Sequence, residues 1–212
     1  MLIDFPTLAQ QCAPSVHPVT MHALVKTESG FNPFAIGVVG GHLVRQPKNA
    51  AEAVATARML ESQRINYSMG LGQINRANLA LTGLTTESAF DPCSSLRASA
   101  QILSDCYVRA AARFPDHGAA MQGALSCYYS GSLKVSGPGN SAYVQKVAAN
   151  TPTTAPVNPA PVSVPAIPVV MTASKTPAKP AANAPAPAAE TKPAAARERA
   201  AWDVFNDFSR EK

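Results

Sequence analysis

No stretch of 18 or more consecutive apolar residues occurs in the 212-residue chain, which excludes a transmembrane helix. The opening segment, MLIDFPTLAQQCAP, lacks both a basic start and a long apolar centre, so it does not read as a signal peptide. No basic run interleaved with aromatics appears, and aromatics make up only 6% of the residues. The net charge of +5 is modest and scattered. Such a surplus suits an acidic polymer but does not point to nucleic-acid binding. Metal signatures are absent too. The spacings of Cys12, Cys93, Cys106 and Cys127 match no zinc pattern, and His17, His22, His42 and His117 form no HExxH arrangement. Four cysteines fit either two disulfides in an oxidising compartment or four buried thiols. The count leaves both open.

What is present changes character near residue 150. Residues 1–150 mix apolar, polar and glycine positions as a folded domain does, and that length can bury a proper core. They carry +3 (11 basic, 8 acidic), and the remainder +2 (7 basic, 5 acidic). Residues 151–196 are mostly Ala, Pro, Thr, Val and Ser and hold 11 of the 19 prolines, the composition of a disordered, semi-extended tether. Residues 197–212 regain charge and contain the only Trp. Trp202, Phe205 and Phe208 recur every three residues, which predicts a short amphipathic helix ordered only when its aromatic stripe is buried. The chain shows no internal repeat.

Within the first 150 residues the helix signals dominate. Pro18 after His17 opens a helix that Gly30 and Pro33 stop. Asn49 with Glu52 three residues later forms a capping box for a helix to about Gln63. A short helix is expected over 75–81 and a long one from Asp91-Pro92 to about Phe114, with Leu96, Ala100, Leu103 and Tyr107 along one face. Two more are expected over 119–129 and 142–149. AIGVVGGHLV, with β-branched residues on both sides of Gly40-Gly41, predicts a tight hairpin. The sum is an α+β domain, mostly helical and lysozyme-like, with one small hairpin.

Glu28 stands in the last turn of the helix begun at Pro18, with no Lys or Arg four residues to either side. The negative end of the helix dipole disfavours its charged form. Walled by apolar groups, such a carboxyl has a raised pKa and can donate a proton at neutral pH. The plain alternative is a solvated glutamate at a helix end.

Three segments decide between these readings. Glu28-Ser29-Gly30-Phe31-Asn32-Pro33-Phe34-Ala35 resembles the ESxFxPxA motif of soluble lytic transglycosylases. Met69-Gly70-Leu71-Gly72-Gln73-Ile74-Asn75 resembles their GLMQI motif, and Cys127-Tyr128-Tyr129-Ser130-Gly131 their AYNAG motif, all in the family's order. GVVGGHLVRQP, FDPCSSL and YVQKV extend the likeness toward the peptidoglycan-cleaving subunit of VirB-type type IV secretion systems. The resemblance covers residues 1–150. It implies Glu28 as the sole catalytic acid/base, Gln73 in a glycan groove, and Tyr128 near the carboxyl and the sugar's N-acetyl group. Ser68 is the candidate for the family's Ser that bonds the Glu, because an insertion over 38–66 follows Gly37. Gly72 replaces the usual Met and Tyr129 the usual Asn. Gly70 and Gly72 would let the backbone approach the glycan.

The resemblance further implies cleavage between N-acetylmuramic acid and N-acetylglucosamine with 1,6-anhydro ends, no cofactor, no metal and a periplasmic setting. Partners would be glycan strands and, through the C-terminal segment, secretion-system components. A hydrolytic lysozyme on this fold would need a second carboxylate, for which Glu52 and Glu61 are the nearby candidates. A glycan-binding adaptor is the non-enzymatic rival. As for the cysteines, one helix over 96–114 keeps Cys93 and Cys106 about 18–20 Å apart, far beyond the roughly 7 Å limit for a disulfide. Antiparallel helices meeting near Asp116 would instead pair Cys106 with Cys127, leaving Cys12 with Cys93, unless all four are free thiols.

Overall fold

A side-chain acceptor at the N-cap starts five of the seven α-helices of the described residues. The chain, seen in a computed structural model, is described over residues 4–152. Asp4 caps α1 (Phe5–Cys12) by accepting from the Thr7 amide, and His17 caps α2 (Pro18–Ser29) through Val19. Asn49 opens α3 (Ala50–Ser62). A 3₁₀ turn over Arg76–Asn78 runs into α4 (Leu79–Thr82). Asp91 caps α5 (Pro92–Ala111), Asp116 caps α6 (His117–Ser130), and α7 spans Pro138–Ala149. Each cap satisfies an amide that the first turn leaves without a partner. Pattern reading assigns no helix to residues 5–12, yet the Asp4–Thr7 cap and the buried Ala9 and Cys12 make one. No helix among the described residues is long and apolar enough to cross a membrane.

At Asn49 the expected capping box is half built. Its side chain accepts from the Glu52 amide at 2.9 Å, but the Glu52 carboxylate turns to the Lys48 amide and Arg45.

The sheet corrects one expectation. No hairpin forms at Gly40-Gly41. Instead β1 (Ile36–Val38) pairs antiparallel with β2 (Tyr67–Met69) across the 28 residues 39–66, in the register Ile36↔Met69, Gly37↔Ser68, Val38↔Tyr67. β2 then pairs with β3 (Ile74–Asn75), so the tight connection of this sheet is the Gly70–Gln73 turn. Burial explains the choice. A local hairpin would rest on Val39 and Val44, which are left exposed, whereas the long-range pairing packs Ile36, Tyr67 and Met69 against Ala53, Ala57 and Leu60 of α3. The edge of β1 is closed by a single side chain: Gln46 Oε1 accepts from the Ile36 amide at 2.8 Å, and Nε2 donates to the Ile36 carbonyl at 3.0 Å.

Two cores result. One gathers α1, α2, α5, α6 and α7 around Met21, Leu24, Leu96, Leu103 and Val147. The smaller one lies between the sheet, α3 and the turn carrying Phe90. Disulfides Cys12–Cys93 and Cys106–Cys127 tie α1 to α5 and α5 to α6, with Cα separations of 5.1 and 5.8 Å. No cysteine is left free. The expected tether to residue 196 and the segment 197–212 lie outside the described residues, apart from 151 and 152.

Candidate active site

Gly30 ends α2 in the left-handed conformation at φ 58°, and Phe31 follows at φ 67°, so the chain turns away immediately beyond Glu28. The carboxyl is left facing a cavity of about 500 Å³ between the two cores. Helices supply Glu28, Ile102, Tyr128 and Tyr129 to its wall, and the sheet side supplies Gly37, Ser68, Gln73 and Asn75.

Burial raises the Glu28 pKa to about 7, against a hydrogen bond from Tyr143 and the positive charge of Lys146, which both lower it. Tyr143 donates its hydroxyl to Glu28 Oε1 at 2.5 Å across 115 residues of sequence. Burial and the neighbouring carboxyl push the Tyr143 and Tyr128 hydroxyls far above the ordinary phenol range, so both remain protonated donors. The Tyr143 ring is stacked on that of Tyr129, 4.7 Å between centroids, and Tyr129 presents its other side to solvent at 54% exposure.

The Gly70–Gln73 turn is held from several sides. Tyr128 donates to the Gly72 carbonyl at 2.6 Å, and Ser95 Oγ accepts from the Gly72 amide at 3.4 Å. Ser99 Oγ, itself bonded to the Ser95 carbonyl, lies so close that a Cβ on Gly72 would collide with it and with the Tyr128 hydroxyl. Gln73 takes a left-handed φ of 49°, unusual for a residue with a side chain. Its Nε2 donates to the carbonyls of Ala35 and Gly70, each at 3.0 Å. The amide oxygen then abuts Gly37, where any Cβ would lie 2.6 Å from it.

Of the residues singled out in the sequence, Glu28, Ser68, Gln73, Tyr128 and Tyr129 meet at this cavity. Gly70 does not line it. Gly70 is buried at φ 78° against the Ala89 carbonyl and Ser95, so its missing side chain serves packing of the turn and not approach of a ligand. Gly72 is buried likewise. Ser68 Oγ accepts from Asn75 Nδ2 at 3.4 Å; the hydroxyl that reaches Glu28 belongs to Tyr143. Glu52 is paired with Arg45 on the surface, Glu61 is exposed, and neither borders the cavity. Tyr143 and Lys146 carry no role in the motif reading, although both lie in the YVQKV segment. Only the packing of α7 against α2 gives them one.

A helical core flanked by a small antiparallel sheet, with a single carboxyl bordering the cavity at the seam, defines the class of fold: this is a domain of the lysozyme-like kind. The Transglycosylase SLT domain family matches residues 6–149, and the chain belongs to that family. Among curated proteins it is similar to the type IV secretion system protein virB1 of Brucella suis biovar 1 (strain 1330), 50% identical over 157 residues, which cover 72% of this chain and 66% of that one. Protein virB1 of Rhizobium radiobacter is 35% identical over 146 residues (68% and 59%). Protein virB1 of Agrobacterium fabrum (strain C58 / ATCC 33970) is 33% identical over 132 (61% and 53%). The match thus spans at most 66% of these relatives' length. No solved structure matches the chain.

Proposed function

We propose that the protein cleaves the β-1,4 bond between N-acetylmuramic acid and N-acetylglucosamine in peptidoglycan, leaving 1,6-anhydro-muramyl ends. The observation that carries this reading is a cavity bordered by one carboxyl, Glu28, whose pKa is raised to about 7. Glycosidases of the usual kind use two carboxyls. A single one suffices where the substrate's own groups take the second part. Protonated Glu28 gives its proton to the glycosidic oxygen, the C1–O bond breaks, and the 2-acetamido oxygen of the muramyl sugar closes onto C1. The Glu28 carboxylate then removes the proton of the C6 hydroxyl. O6 attacks C1, the acetamido oxygen leaves, and the anhydro ring closes without water. Glu28 ends protonated, ready for another cycle. Tyr143 fixes the carboxyl, Gln73 and Ser68 face the glycan, and the Tyr129 ring offers a surface for a sugar face.

The relatives named for type IV secretion support a setting in which the wall is opened locally for such an apparatus. Two disulfides suit the periplasm as the compartment. A hydrolytic lysozyme reading finds less support, because Glu52 and Glu61 stand away from the cavity.

The test is mass spectrometry of muropeptides released from purified cell wall by the parent and by Glu28→Gln. The parent should release anhydro ends, and the variant should lose some two to four orders of magnitude in rate while keeping its fold. Reducing ends from the parent would establish hydrolysis, and substantial cleavage by Glu28→Gln would remove Glu28 as the acid.

A further inference from the structure

α7 starts without the device that starts the other long helices. Its N-cap is Gly137, at φ 110°, which has no side chain to offer the first-turn amides. The anchor is instead the third residue of the helix. Asn140 sends its amide nitrogen back to α6 and the loop after it: Nδ2 donates to Ser126 Oγ at 2.6 Å, Ser130 Oγ at 2.9 Å and the Lys134 carbonyl at 2.8 Å. Two N–H groups thus serve three acceptors. A carbonyl can only accept, so the Lys134 contact fixes which way the amide points. The seat itself is rigid. Ser126 is completely buried, and its hydroxyl proton is shared between the Ser132 and Lys134 carbonyls, at 2.8 and 2.6 Å. Ser130 Oγ donates to the Ser126 carbonyl at 2.9 Å.

We propose that Asn140 is a positioning residue: it pins the first turn of α7 to the end of α6 and so holds the Tyr143 hydroxyl on Glu28. It deepens, and rests on, the acid/base role given to Glu28 above. Asn140 does not line the cavity and acts through Tyr143 alone. The two residues are three apart and share a face of the helix. That face is seated on the end of α6, where a Cβ on Gly139 would come within 3.6 Å of the Tyr129 ring and the Tyr143 ring is stacked on it. At its far end α7 is tied to α2 separately, by Asn150 Nδ2 donating to Thr27 Oγ1 at 2.9 Å. With that end held, releasing the first turn displaces Tyr143 more than Lys146, which is nearer the Asn150 tie. A hydrogen bond needs both distance and direction, so a small displacement of Tyr143 is enough to lose it.

The test follows the Glu28 carboxyl carbon by NMR over a pH series in the parent, Asn140→Ala, Tyr143→Phe and the double variant. Tyr143, Lys146 and Tyr128 are the titratable groups facing that carboxyl. Losing the Tyr143 bond removes an influence that favours the carboxylate, so Asn140→Ala should move the titration to higher pH, as Tyr143→Phe does. The double variant should titrate like Tyr143→Phe, because Asn140 then has nothing left to position. On glycan strands Asn140→Ala should lose on the order of tenfold in kcat, with KM changed by less than about twofold. Asn140→Gln keeps the amide but displaces it by one methylene, and should fall between parent and Ala. If Asn140→Ala does not fold, Asn140→Gln carries the comparison. Ser141→Ala is the control, since its hydroxyl donates only within the same turn, to the Gly137 carbonyl at 2.8 Å. It should leave the titration where it was. An unmoved titration or a parental kcat in Asn140→Ala would overturn the inference. So would shifts that add in the double variant, or an equal shift in Ser141→Ala. Failure of the parent to cleave wall material would instead overturn the enzymatic reading, and the NMR comparison does not depend on it.

Discussion

At Glu28 three influences compete, and their order decides how the site responds to pH. Burial favours the neutral acid and outweighs the Tyr143 hydrogen bond and the Lys146 charge, which favour the carboxylate. The first step of cleavage needs the proton, so kcat/KM should fall as pH rises through about 7. Removing either opposing influence leaves burial less checked and lifts the pKa further. Tyr143→Phe and Lys146→Met should therefore each move this alkaline limb to higher pH. Tyr143→Phe should also lower the maximal rate, because the carboxyl loses the group that orients it. Rate profiles over a pH series for the three proteins check this. A limb that stays in place in both variants would mean that another group governs the titration. Tyr129 belongs to the same constellation, since it stacks on the ring whose hydroxyl holds Glu28.

Elements set the site by supporting one another across the seam. The Gly70–Gln73 turn is braced by Ser95 and Ser99 of α5 and by Tyr128 of α6, so the sheet and the helices share one joint. Gly72 is where that joint has no room. Gly72→Ala should cost about 1–3 kcal/mol through overpacking and displace Tyr128 from the turn, with cleavage reduced beyond what lost stability explains. Gly83 gives the contrast: φ is 67° there, but a Cβ would meet nothing within 4 Å. Gly83→Ala should cost about 1 kcal/mol from backbone strain alone and leave cleavage as it was. Denaturant titrations alongside rate measurements separate the two effects. If Gly72→Ala proves as mild as Gly83→Ala, the packing account of the turn is mistaken.

On the scale of the whole molecule, residues 6–149 form the family domain and the Ala/Pro-rich stretch leads to the charged, aromatic end. We propose that residues 197–212 dock on a component of the secretion apparatus, presented by the tether over 151–196. Trp202, Phe205 and Phe208 would form the docking stripe. The segment holds four basic and four acidic residues, which favours a protein groove over an anionic lipid surface. Deleting 197–212 should leave the rate of the purified enzyme unchanged and weaken its recruitment in cells. Equal losses in the two settings would make the segment part of the enzyme.

Local chemistry carried much of this into the sequence. The proline-marked helix starts at His17-Pro18 and Asp91-Pro92, the cap at Asn49, the stop at Gly30, the helix periodicity and the ordered motifs around Glu28, Gln73 and Tyr128 are all short-range signals, legible because each depends on neighbours a few residues away. What tertiary structure alone decided was long-range. Pairing of β1 with β2 instead of a hairpin at Gly40-Gly41 followed from which apolar residues could be buried together. The assignment of Tyr143 to Glu28 spans 115 residues and no periodicity encodes it. Gly70 and Gly72 look in sequence like glycines that admit a ligand. They proved to be glycines that admit α5 and α6, because the atoms that would fill the space come from segments the motif does not contain.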